Sequence, residues 1–89
     1  MKPGDLVRLS EGIPGRTWFT VGALGGAHDF KTAASLSGGA FSVPDGSVAL
    51  VLRIEACPKF PAPEDHRVHV LVNGRAGWVY PEDGEVIST

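Results

Sequence analysis

Residues 66–87 read H-R-V-H-V-L-V-N-G-R-A-G-W-V-Y-P-E-D-G-E-V-I, and Asn73-Gly74 at their centre decides the fold class. Two runs of alternating apolar and polar residues flank this pair. Asn and Gly are the residues that best tolerate positive φ at both central positions of a type I′ turn, so the segment predicts a tight hairpin. The turn also sets the register: Val72 faces Arg75, Leu71 faces Ala76, Val70 faces Gly77, His69 faces Trp78, Val68 faces Val79 and Arg67 faces Tyr80. Strand side chains alternate between faces. Val68, Val70, Val72, Gly77 and Val79 therefore share one face, expected to be core. Arg67, His69, Leu71, Ala76, Trp78 and Tyr80 share the other, which joins two large aromatics to a histidine and an arginine and is the candidate binding surface.

The composition sets the frame around this hairpin. Eighty-nine residues, 43% hydrophobic and 20% charged, make one small domain over 1–89 with a single modest core. Twelve glycines and seven prolines imply many turns and few long helices. The formal charge of −2 argues against a binder dominated by phosphate contacts, which is usually basic. The lone Cys57 excludes an internal disulfide framework and a multi-cysteine zinc site. The opening M-K-P-G-D-L-V-R-L-S lacks an apolar stretch of signal-peptide length, and no run approaches a membrane span. The expectation is a soluble protein made in the cytoplasm.

Working back along the chain, Leu6–Leu9 reads as a first strand with Val7 and Leu9 inward, and 17–21 (T-W-F-T-V) as a second. Gly25-Gly26 and Gly38-Gly39 bracket A-H-D-F-K-T-A-A-S-L-S, part of an expected insertion over about 22–47. Such a segment is either a floppy excursion or an arm that orders against a partner. Phe30, Leu36 and Phe41 are costly to leave in water and favour the arm. V-P-D-G-S over 43–47 reads as a turn. V-A-L-V-L-R-I-E-A over 48–56 reads as the central strand, with Val48, Leu50, Leu52, Ile54 and Ala56 as its apolar face. Three prolines within 57–65 make that stretch an extended loop. Pro81-Glu82-Asp83-Gly84 suits one 3₁₀ turn before a closing strand.

Short strands, a long early loop and a 3₁₀ turn before the last strand describe an all-β, strongly bent small barrel. G-R-A-G-W-V-Y-P-E-D-G-E-V-I resembles the end of an SH3-type barrel, and K-P-G-D-L-V-R-L resembles the first strand of SH3-like and KOW-type barrels. Together they cover roughly the first ten residues and the last forty. The resemblance implies a five-stranded SH3-like barrel carrying the glycine-bracketed insertion between strands two and three. It places Trp78 and Tyr80 beside a peptide groove, although the acidic loop and early aromatic pair of signalling SH3 domains are absent. K-P-G-D-L-V with G-W-V-Y is also similar to small barrels carried by tailed bacteriophages.

The candidate partner-binding residues are Trp78, Tyr80, His69, Arg67 and Leu71 on the hairpin, joined by Phe30, Leu36 and Phe41. The competing reading is that the insertion folds back over this face and extends the core. Arg67 and Arg75 flank the aromatics, an arrangement that could stack single-stranded nucleic acid. His66 and His69 point to opposite faces and cannot share a metal locally. Cys57 has no base or oxyanion donor fixed beside it by spacing. The carboxylates Glu64, Asp65, Glu82, Asp83 and Glu85 lie in turns and read as solvating charge. The glycine pairs lack the context of a phosphate loop. No catalytic residue, metal site or cofactor is expected. The expected function is a non-catalytic protein–protein interaction or structural module, in the phage-like resemblance an accessory virion component (capsid decoration or neck), located in the virion or host cytoplasm. The alternative is a KOW-type nucleic-acid- or ribosome-associated module.

Overall fold

The computed structural model describes residues 1–23, 40–56, 62 and 66–88. These form seven strands: β1 (Leu6–Leu9), β2 (Trp18–Ala23), β3 (Ala40–Pro44), β4 (Val48–Glu55), β5 (Arg67–Val72), β6 (Arg75–Val79) and β7 (Gly84–Ser88). A 3₁₀ turn over Pro81–Asp83 precedes β7, as the sequence implies. The chain is all-β, and no α-helix occurs among the described residues.

All seven strands lie in one antiparallel sheet of order β3-β2-β6-β5-β4-β1-β7. Seven strands replace the five expected, and among the described residues the sheet is not closed. The strand with no counterpart in the reading of the sequence is β3. It falls inside the stretch expected as insertion, and its last two residues, Val43 and Pro44, were expected to be turn. Proline lacks an N–H, which an edge strand such as β3 can spare.

The sheet is nevertheless strongly curled. β3 and β4 sit four places apart in it, about 19 Å if flat at about 4.8 Å per strand. Only three residues join Pro44 to Val48, and that link spans at most about 14 Å. The curl closes that difference, and the turn is pinned where β1 ends. Gly46 donates its N–H to the Leu9 carbonyl at 2.8 Å, and Leu9 donates to the Ser47 carbonyl at 2.9 Å. Ser10 donates to the Asp83 carbonyl at 3.0 Å, tying the 3₁₀ turn to the same corner.

Inside the curl lies one core. Val7 and Leu9 enter from β1, Phe19 and Val21 from β2, Val43 from β3, Ala49 and Val51 from β4, Val68, Val70 and Val72 from β5, and Val79 from β6. Phe41 and Ile54 pack against it half-buried. The hairpin register holds pair for pair from Val72↔Arg75 to Val68↔Val79. Asn73 and Gly74 both have positive φ, 50° and 78°.

The reading of β4 requires correction. Ala49 and Val51 are inward, while Val48 and Leu52 are exposed. The pairing with β5 slips between Val51 and Arg53, so Leu52 is an extra residue in a bulge. The bulge reverses the alternation, and Ile54 returns to the core side opposite Val68. The apolar face expected at 48, 50, 52, 54 and 56 is therefore split between the two sides of the sheet. Phe30, Leu36, Cys57 and the glycine pairs lie outside the described residues, as does most of the expected insertion.

Candidate functional site

Cross-strand partners share a face, so the registers draw the outer surface of the sheet as parallel rows. The first row is aliphatic. Leu6 on β1 pairs with Leu50 on β4, Leu50 with Leu71 on β5, and Leu71 with Ala76 on β6. Beside it runs a polar and aromatic row, Arg53–His69–Trp78–Gly22, across β4, β5, β6 and β2. Next comes Glu55 paired with Arg67. Tyr80 meets Trp78 edge-on, with ring centroids 5.2 Å apart and planes at 89°.

Arg67, His69, Leu71, Trp78 and Tyr80 thus lie together, as the hairpin register implies. Their exposure differs from expectation. Trp78 is only 5% exposed and His69 only 7%. One cause is Gly22: a side chain there would strike Nε1 and Cε2 of the indole. The missing Cβ leaves room for the ring over β2. A second cause is Arg67, whose guanidinium sits 4.9 Å from the Trp78 ring centroid, within cation–π range. Leu71, by contrast, is 40% exposed.

Two expected members of the group separate from it. Phe41 pairs with Val21 on the core side of β2 and β3, not with Trp78. Arg75, expected to flank the same aromatics as Arg67, instead covers Phe41, 4.2 Å from its ring centroid. Phe30 and Leu36 lie outside the described residues.

The charged row centres on Glu55. Its carboxylate stands 3.4 Å from Arg53 Nη2, 3.7 Å from Arg67 Nη1 and 3.8 Å from His69 Nε2. These separations exceed the 2.7–2.9 Å typical of charge-assisted hydrogen bonds. His69 Nε2 is buried and has no hydrogen-bond partner among the described residues. Burial holds the His69 pKa below its ordinary value, Arg53 and Arg67 add to the shift, and Glu55 opposes it. The imidazole is therefore neutral at pH 7.

Near the 3₁₀ turn, Arg8, Ser10, Glu11, Gly12, Glu82, Gly84 and Glu85 line an open groove of about 290 Å³. Beside it, burial pushes the Asp83 carboxyl up to about 6, against a hydrogen bond donated by the Tyr80 N–H at 3.4 Å. Among the described residues no group of three or more His, Cys, Asp or Glu is placed to hold a metal, and no helix is long and apolar enough to cross a membrane.

Trp18 is the aromatic that the sequence reading passed over. It is 59% exposed and faces Pro44 across β2 and β3. Alternation carries the signal, since placing Phe19 and Val21 inward forces Trp18 out. Comparison of the chain with protein-family models, with curated proteins and with solved structures finds no match.

Proposed function

We propose that this chain is a non-catalytic protein–protein interaction module that docks through the outer face of its sheet. The observation that carries this reading is the aliphatic row Leu6–Leu50–Leu71–Ala76, with the Leu52 bulge and Val48 exposed on the same strand. Apolar surface left in water costs about 25 cal/mol per Å². A contiguous band of it on an otherwise polar face is characteristic of an interaction surface.

The narrower reading is an accessory subunit of a tailed-bacteriophage virion, a capsid-decoration or neck component. Its support is the likeness of K-P-G-D-L-V and G-W-V-Y to small phage-borne barrels, and the SH3-type resemblance of both chain ends belongs to the same proposal. A KOW-type nucleic-acid module draws on Arg67 over Trp78, but base stacking there would first require the buried indole to be uncovered.

The test is association. Leu71→Asp, at an exposed position, leaves the fold intact and abolishes self-association in sedimentation or co-sedimentation with virions. A wild-type chain that neither self-associates nor binds particles ends the reading.

A further inference from the structure

The two edges of the sheet differ. β3 ends in Pro44, which cannot donate to a further strand. β7 holds no proline and no lysine, the residues that commonly blunt a sheet edge, and among the described residues it pairs with β1 alone. Ser10 donates to the Asp83 carbonyl, which makes 10 and 83 a hydrogen-bonded pair of the β1–β7 ladder. Bonded and non-bonded pairs alternate in an antiparallel ladder. Glu85 therefore turns its N–H and C=O to β1, and Val86 turns both of its own to the open edge. An extra residue, Ile87, then ends the regular register. Val86 lies on the core side opposite Val7, yet it is 38% exposed where Val7 is wholly buried.

This edge also carries charge. The open groove at the start of β7 sets Glu11, Glu82 and Glu85 against Arg8. Glu11 is held by Arg16 at 2.9 Å, and Arg8 stands opposite Glu85 across the strands. Glu82 and Asp83 have no ion-pair partner among the described residues, so the surplus is anionic. Burial leads the rise in the Asp83 pKa, and the charges of Glu82 and Glu11 add to it. β7 itself carries Glu85 and no basic residue, so a second copy adding its own β7 would bring no counter-charge.

We infer that the β7 edge takes up an extended basic segment of a protein partner as a further strand of the sheet. Val86 donates and accepts the backbone hydrogen bonds that hold it. A lysine or arginine on the outward side of the segment meets Glu85 and Glu82, and an apolar residue on the other side covers Val86. Charge complementarity selects a basic segment over an acidic one and over a second copy. Occupation of this edge does not depend on docking at the aliphatic row.

The test uses the full chain at low salt with a short peptide alternating Lys and Val, its Glu/Val counterpart, and the Lys/Val peptide with its backbone N–H groups methylated. Amide NMR and hydrogen exchange report on 84–88. The Lys/Val peptide is expected to shift these amides and to slow exchange of the Val86 N–H at least about tenfold. The Glu/Val and N-methylated peptides should each bind about tenfold more weakly or worse. Glu82→Gln combined with Glu85→Gln, both at exposed positions, should erase the preference for Lys/Val over Glu/Val. No binding of the Lys/Val peptide, equal binding of Glu/Val, or undiminished binding of the N-methylated peptide would each overturn the inference. Shifts at the Leu71 methyls with none at 84–88 would overturn it and leave the docking face standing. Slowing of Val86 exchange with chain concentration alone would assign the edge to a second copy and overturn the basic partner.

Discussion

Gly22 lies beneath the indole of Trp78. The two residues are direct partners across β2 and β6, and the ring occupies the space a side chain at 22 would need. This contact turns the aromatic of the hairpin from a surface feature into part of the sheet. Gly77, next to Trp78 in β6, is constrained from the opposite side. A Cβ there would stand 2.5 Å from Val21 Cγ1 and 2.6 Å from the Gly22 carbonyl oxygen.

Gly22→Ala is accordingly expected to push the indole out, with a red-shifted tryptophan emission and a loss of about 1–3 kcal/mol in urea unfolding. Gly77→Ala meets the Gly22 carbonyl oxygen as well as the Val21 side chain and the Phe41 ring, so it should cost at least as much and weaken the β2–β6 pairing. An unshifted emission in Gly22→Ala would contradict the placement of Trp78.

The β4 bulge makes an expectation opposite to that of simple alternation. Leu52→Lys should change stability by no more than about 0.5 kcal/mol, because Leu52 faces water. Val51→Lys places a charge in the core and should unfold the chain. Chemical denaturation of the two variants decides between a bulged and a regular strand.

Asp83 gives the stability a pH dependence of unusual sign. Its folded pKa is raised to about 6 from an ordinary 3.8, mainly by burial. The folded chain thus holds this proton more tightly than the unfolded chain, and the associated stability is lost as pH rises from about 4 through about 6. Asp83→Asn keeps an oxygen that can accept the Tyr80 N–H bond and should be about 1–2 kcal/mol more stable than wild type near pH 7.5, with the advantage vanishing below about pH 4.

His69 and Asp5 act in the opposite direction. Burial, with Arg53, lowers the His69 pKa. The hydrogen bond from Lys2 Nζ, at 2.8 Å, leads the lowering of Asp5. Each contributes stability that is present above its unfolded value and is lost as pH falls. Below about pH 6.5 the unfolded chain takes up a proton at His69 that the folded chain resists. His69→Asn should flatten the pH–stability curve of Asp83→Asn in that range, measured by thermal unfolding across pH.

What the sequence discloses here follows the range of the forces involved. The hairpin, its register and the core valines of β5 were legible because Asn73-Gly74 fixes the turn locally and alternation does the rest. The inward face of β4 was not, because one inserted residue at Leu52 reverses the pattern and leaves no mark in composition. β3 was hidden because Val43-Pro44-Asp45-Gly46 has the chemistry of a turn, and only its first part is used as strand. Arg67, His69, Leu71, Trp78 and Tyr80 lie together as the hairpin register implies. The burial of Trp78 was not legible because it depends on Gly22, and the grouping of Leu71 with Leu6 and Leu50 was not because it depends on pairings between distant segments.

The most direct test of the proposed docking face is a photo-crosslinking residue at position 71, with a second at position 11 as control, in cells that make the chain naturally. The outer-face account predicts one discrete product from position 71, identified by mass spectrometry as a defined protein or a second copy of the chain and lost when Leu50→Asp is added to a variant that remains folded. A product from position 11 with none from position 71 would contradict it.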